Sequence, residues 1–371
     1  MLKLSWSRAA IWRARRHHLI DRAKPGSMLD VASRLCGLHA QVLSSAELTA
    51  WARVEGLQRQ DVQRALWQDR TLVKTWAMRG TLHLLPTSEL PLWYAALGIS
   101  PRFLKEAQWK KNFGISLDDL DRLTEAIGAA LENRMLTREE LSREVGEISG
   151  CRVIAESSWG VVLRPAAFTG RLCFAPGTGN RVRFTRPDTW VSLGKAVDPQ
   201  AATLEITRRF LAAFGPATVH DLARWWNGTG VSTARQWIAA LGEEATAVDL
   251  DGVPGWMLAR DVRSIRDVPE VRSVSLLPAF DQYVIGASAH AGQLLPGDLR
   301  TRVYRPQGWL SPVLLVNGMM HGVWRHEVKG SRIKVTVEPF VKLPLWVRRA
   351  AGEEAERLAN FLDCTLDLYF S

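Results

Sequence analysis

Hydrophobic residues along this chain recur first at helical spacing and then at alternating spacing, and that exchange happens three times. Helix-period stretches at 28–36, 46–54 and 59–68 give way to runs at 72–78 and 81–85, rich in β-branched and aromatic residues and parted by Arg79-Gly80. A hairpin is predicted there. Residues 117–132, the stretch 136–141 with Thr137 as N-cap and Glu140 three residues on, and 157–168 predict a second set of helices. Strands at 171–175 and 181–185 follow, joined through the turn formers Pro176-Gly177-Thr178-Gly179-Asn180. A third set at 204–214, 217–226 and 233–241 leads into strands 247–250 and 256–258 across Asp251-Gly252-Val253-Pro254-Gly255. The repeat spacing is roughly 85 residues, a self-similarity that predicts one supersecondary unit used three times. Beyond it the pattern turns to strands. An extended run covers 275–286, a second 310–316, and Asn317-Gly318, a strong hairpin signal, turns the chain into 319–324. A third strand is expected at 332–337 and a closing helix at 353–366.

Three helices ending in a hairpin make a winged helix-turn-helix. The expected fold class is therefore α+β, three tandem winged helix-turn-helix domains with a small C-terminal antiparallel β domain. The boundaries fall at 1–100, 101–195, 196–268 and 269–371. Composition agrees with a chain that folds and buries cores, since 371 residues are 47% hydrophobic and 23% charged. No apolar run reaches membrane-spanning length and charge enters too early for a signal peptide, so a cytoplasmic, nucleoid-associated protein without membrane attachment is expected. Cys36, Cys151, Cys173 and Cys364 are scattered, with no metal-ligand or redox spacing. Neither a metal nor another cofactor is expected, and the protein is expected to be a monomer.

A formal charge of +10 favours a polyanionic partner, and nucleic acid is the natural one. Winged helices also serve as protein–protein modules, but cations on the predicted strands favour DNA. Arg181 and Arg183 alternate on one face of the second hairpin with Arg186 beyond it, and Lys74 and Arg79 lie on the first. Arg325 and Lys329 stand on the rim of the β domain, among further basic residues. His83, between Leu82 and Leu84, faces away from both leucines and points towards DNA if that face is open. Trp76, Trp225, Trp226, Trp256, Trp309 and Trp324 are candidate base-stacking platforms, but they sit at amphipathic positions and are expected mostly in the core.

One stretch carries candidate chemistry. Gly37 stops the helix-like run 28–36, and His39 and Gln41 follow it two residues apart, on one face of an extended segment. Imidazole accepts a proton near neutral pH and a carboxamide donates and accepts hydrogen bonds without charge, so the pair can hold and activate a water molecule. A satisfied loop pair is the alternative. No phosphate-cradling Gly-rich loop, G-x-S-x-G elbow, H-E-x-x-H helix or Gly-x-Gly-x-x-Gly competes. Asp281, after the buried-looking run 276–280, is the one isolated carboxylate of interest, as a supporting site residue or a turn acceptor.

Five segments together resemble one family. They are Gly37-Leu38-His39-Ala40-Gln41, the stretch 75–83, Phe214-Gly215-Pro216-Ala217-Thr218, the stretch 276–281, and Gly308-Trp309 through Gly322-Val323-Trp324-Arg325. In this order they are similar to the winged-helix DNA glycosylases of the AlkZ and YcaQ type. The resemblance implies three tandem winged helices and a small β domain around a concave DNA-binding surface. It implies removal of N-alkylated purines from double-stranded DNA, including bulky natural-product adducts and interstrand cross-links. Members usually carry Gln-x-Gln at the catalytic motif, whereas His39 here matches a His-x-Gln branch that resembles the self-resistance glycosylases of antibiotic producers. The implied roles are His39 as general base for water and Gln41 as the residue that orients it or contacts the sugar. A non-catalytic winged-helix DNA-binding regulator is the alternative function.

Overall fold

Local capping chemistry fixes several helix starts where the sequence places them. Thr137 accepts the Glu140 amide hydrogen while the Glu140 carboxylate accepts that of Thr137, opening the helix Arg138–Ser149. Ser116 and Asp119 do the same for Leu117–Ala130. The structure, a computed structural model, describes residues 1–100, 103–150, 153–156, 158–179, 181–226 and 229–371. The calls on Cys151, on the helix start at Ser157 and on Asn180 in the second turn therefore lie outside the described residues.

Helices followed by a hairpin occur three times, as the hydrophobic pattern predicts. The hairpins are Leu72–Trp76 with Leu82–Pro86, Cys173–Thr178 with Arg181–Thr185, and Ala245–Leu250 with Val253–Leu258, each antiparallel. The chain divides into two compact units, one of residues 1–62, 207–223 and 230–371, the other of 63–206 and 224–229. In the second unit Trp76 packs against Phe174 and Phe184 at centroid distances of 5.0 and 6.2 Å. Gly160, at φ +63°, lies so close beneath Trp76 that an added Cβ would stand 2.6 Å from the indole. The second hairpin gains a third strand from Leu136–Thr137, which pairs with Arg181–Thr185.

In the first unit a strand absent from the sequence reading, Leu2–Leu4, pairs in parallel with Val248–Leu250 of the third hairpin. Leu4, Trp6, Ala9 and Trp12 then share a core with Val248, Leu250, Met257 and Ile265. The same unit holds a five-stranded sheet in the order Val274–Leu277, Val313–Val316, Met319–Lys329, Arg332–Pro339, Thr365–Phe370. Asn317 and Gly318 take φ values of +50° and +80° in its hairpin, the left-handed pair such a two-residue turn requires. A Cβ at Gly318 would meet the Ala10 backbone at 2.5 Å, so glycine is needed there on two counts.

Two expectations are corrected here. The closing helix runs over Leu345–Phe361, ends well before residue 366, and is followed by Thr365–Phe370 as a strand parallel to Arg332–Pro339. The alternation Leu366-Asp367-Leu368-Tyr369 suits a strand, and with it the sheet is mixed rather than purely antiparallel. The run 275–286 also divides, at Pro278, into the strand Val274–Leu277 and the short helix Gln282–Gly286, with Phe280 at φ +59° between them. Of the six tryptophans, Trp76, Trp225, Trp226 and Trp324 are buried and Trp256 is half-buried, whereas Trp309 is 52% exposed.

Candidate active site

Gly37, at φ +94°, ends the turn after the helix Met28–Arg34 and directs the chain into the short extended segment Leu38–His39. That segment is held from a distant part of the chain. The Gln282 side-chain amide donates to the Gly37 carbonyl oxygen at 2.5 Å, and Gln282 is itself buried. His39 is 5% exposed, with its ring stacked on Phe280 at 5.4 Å and 19°, while Gln41, two residues on, is half-buried. The extended segment ends at His39, and Gln41 lies in the bend that follows. Phe280 is also in contact with Trp309, at 5.2 Å and 51°. Three aromatic rings thus run in succession from buried His39 to the exposed Trp309.

The positive φ of Phe280 is unfavourable for a bulky residue and persists only where neighbours over-determine it. Asp281 supplies that restraint. Its carboxylate accepts from both terminal nitrogens of Arg53, each at 2.7 Å, and from the Tyr283 amide at 2.8 Å, capping Gln282–Gly286. Arg53 also donates to the Thr49 carbonyl oxygen at 3.0 Å, and both members of the pair have no exposed side-chain surface. Asp281 therefore stands one residue from the ring on which His39 stacks, with its oxygens engaged by Arg53 and the backbone. Its position supports the loop that carries Phe280 and Gln282.

Neighbouring His17 is buried too, its Nε2 3.0 Å from the Ala213 carbonyl oxygen and its ring edge-on to Phe214 and Tyr283. Burial first and the Arg53 charge second push its pKa well below the ordinary imidazole value. The unfolded chain consequently binds a proton that the folded chain refuses, so stability should decline as pH falls below about 6.5. Urea titrations at pH 7.5 and 5.5 check this, and His17→Gln should show a shallower decline. The same decline in that variant would assign the effect to other groups.

The remaining predicted residues have varied surroundings. Arg181 and Lys329 are exposed on their hairpins. Arg183 is half-buried and donates to the Pro176 carbonyl oxygen at 2.8 Å. Arg186 is bound bidentately to Asp188 at 2.7 Å, and exposed Arg325 pairs with Glu338. Lys74 is half-buried over the Phe174 ring at 5.1 Å. His83 is corrected most. Its strand Leu82–Pro86 is buried on both faces, so alternation does not carry the imidazole outward, and His83 is 0% exposed. Its Nδ1 lies 3.0 Å from the Thr81 carbonyl oxygen and its Nε2 3.4 Å from Arg79. Burial lowers the Arg79 pKa to about 10, and that guanidinium also donates to the Trp225 carbonyl oxygen at 3.2 Å. Arg53, Phe280 and Gln282 carry no functional signal of their own in the sequence, and Trp309, expected mostly in the core, is exposed instead; Phe280 and Trp309 lie in segments that carry the family resemblance.

Among the described residues there is no cluster of potential metal ligands, and no helix is long and apolar enough to cross a membrane. The family model described as DNA glycosylase AlkZ-like matches residues 32–361. The chain is 34% identical over 369 residues to the interstrand DNA cross-link repair glycosylase of Streptomyces sahachiroi, covering 97% of each. The solved structure of the Streptomyces sahachiroi DNA glycosylase AlkZ superposes with a TM-score of 0.90 at 33% identity, over 100% of both chains. A chain matched at this coverage and identity belongs to the AlkZ-like DNA glycosylase family, enzymes that hydrolyse N-glycosidic bonds.

Proposed function

We propose that this chain is a monofunctional DNA glycosylase of the His-x-Gln branch. It excises N-alkylated purines, N7-alkylguanine or N3-alkyladenine, with bulky adducts and interstrand cross-links within its range. The observation that carries the reading is the seating of His39, stacked on Phe280 with its backbone held at Gly37 by Gln282, two residues before Gln41. The name of the 34% identical relative, an interstrand DNA cross-link repair glycosylase, supports the cross-link part of the range.

Alkylation at N7 or N3 leaves the purine cationic, so departure needs no strong acid. The water oxygen bonds to C1′ as the glycosidic bond breaks, and that bond's electron pair leaves with the purine. His39 takes the water's proton while Gln41 fixes the water's position. The products are an abasic site and the free alkylpurine, and no cofactor enters. The three helix-and-hairpin sets serve in this reading as winged helices on duplex DNA, with Arg181 and Lys329 on backbone phosphates. The protein acts as a monomer on cytoplasmic, nucleoid DNA.

Incubation with an N7-alkylguanine duplex followed by alkaline cleavage of abasic sites should give strand breaks above a protein-free control. Duplex binding with no release from simple or bulky adducts would instead support the non-catalytic regulator. Trp309 extends the test to the lesion. Aromatic faces stacked on nucleobases contribute about 1–3 kcal/mol each, so Trp309→Ala should weaken binding of an adducted duplex by roughly 5–150-fold and Trp309→Phe far less. Equal affinity of all three proteins would show that no base or adduct stacks there.

A further inference from the structure

A second feature of the first unit carries a site of its own. A groove of about 740 Å³ opens between the end of the helix Trp6–Arg16, the loop after it, the helix Met28–Arg34, and residues Arg209, Ala212 and Arg260. Its volume is that of a ligand cleft rather than a packing defect, roughly 300–1,000 Å³ being usual. Arg16, His18, Lys24, Arg34, Arg209 and Arg260 line it, with Asp21 and Asp30 the only carboxylates among its lining residues. Asp21 is engaged by Arg15 at 3.3 Å, and Arg22, also on the groove wall, is drawn off to Glu354. The groove's own balance is strongly positive.

These cations feel one another. Arg16, whose Nε donates to the Ala212 carbonyl oxygen at 3.0 Å, has its pKa lowered by burial and further by Arg34 and Arg260, although Asp261 opposes this. His18 is lowered by burial, then by Arg34, and also by Arg53 and Arg16. Like charges gathered in one partly desolvated recess repel, and a bound polyanion relieves that repulsion while releasing its counterions. The position of the groove points to its occupant. Arg34 precedes His39 by five residues, so their Cα atoms are separated by at most about 18 Å at 3.6 Å per extended residue. One DNA strand carries a phosphate every ~3.4 Å along the axis, so that reach covers about five nucleotides.

We propose that this groove binds backbone phosphates of the substrate duplex within about five nucleotides of the purine presented to His39, as a site separate from the hairpin contacts. The placement relative to the purine rests on the glycosylase reading. Binding of backbone phosphates does not.

Arg34 and Arg260 are exposed, so Arg34→Gln/Arg260→Gln should melt at the wild-type temperature. On an undamaged duplex the double variant should lower the slope of log Kd against log salt by about 1–2, near 0.9 for each lost phosphate contact. A scan of neutral methylphosphonates along an alkylated duplex should then reveal positions that weaken wild-type binding but leave the double variant unaffected, all within about five nucleotides of the lesion. An unchanged salt slope, or positions lying only farther away, would overturn the proposal. So would stabilisation by tripolyphosphate that the double variant loses while its DNA salt slope stays wild type, because the groove would then serve a free phosphorylated molecule. Failure of base release with a reduced slope on undamaged DNA would sink the substrate reading and leave the phosphate site standing.

Discussion

Asp281→Ala should lower the unfolding free energy by about 3–5 kcal/mol, the effect of removing one partner from a buried ion pair and stranding the other. Arg53 would then keep a guanidinium with no exposed surface, and among the described residues the Thr49 carbonyl oxygen would remain as its acceptor. The loss should be visible in urea unfolding followed by circular dichroism. Replacing both partners, Arg53→Met with Asp281→Leu, should recover much of it, because no charge is left buried. A change below about 1 kcal/mol in Asp281→Ala would contradict the anchoring role. Asp281→Asn separates anchoring from chemistry. It retains an oxygen for Arg53 and the Tyr283 amide, so release should persist in whatever fraction remains folded. A folded Asp281→Asn protein without release would move Asp281 into the chemistry itself.

His39→Ala should slow single-turnover base release by roughly 10²–10⁴-fold, the usual consequence of losing a general base, while duplex affinity changes little. The intact enzyme should also slow as the solution is acidified, since an imidazolium has no lone pair for the water's proton and repels the positive charge developing on the sugar. His39→Gln restores a carboxamide that can still orient water, and should keep appreciable activity on intrinsically labile adducts without that acid limb. A pH profile shared by wild type and His39→Gln would place the titrating base elsewhere.

Much of this was legible wherever one short stretch decides the outcome. Asn317-Gly318 forms its turn because its backbone demands are met by two adjacent residues, and Thr137 caps its helix with a partner three positions away. His39 and Gln41 stand out because Gly37 breaks the helix just before them. The support behind that motif was not legible. Arg53 meets Asp281 across 228 positions and Gln282 meets Gly37 across 245, and nothing near either residue announces its partner. His83 misled because period-2 alternation assigns an open face only to a strand with one solvated side, and this strand has none. The strand Thr365–Phe370 was hidden in a short apolar run that fits the end of a helix as readily as a strand, until pairing with Arg332–Pro339 decides it. The basic groove drew on residues as far apart as Arg16 and Arg260, which only the fold assembles.

The central claim is that His39 and Gln41 together direct water onto a lesion-bearing sugar. It is tested most directly by single-turnover release from one N7-alkylguanine duplex, comparing wild type, His39→Ala and Gln41→Ala, with folding of each checked by thermal melting. Wild type should release the base, His39→Ala should lose roughly 10²–10⁴-fold, and Gln41→Ala should be clearly impaired. Near-wild-type rates in both folded alanine variants would contradict it, leaving the motif a structural loop.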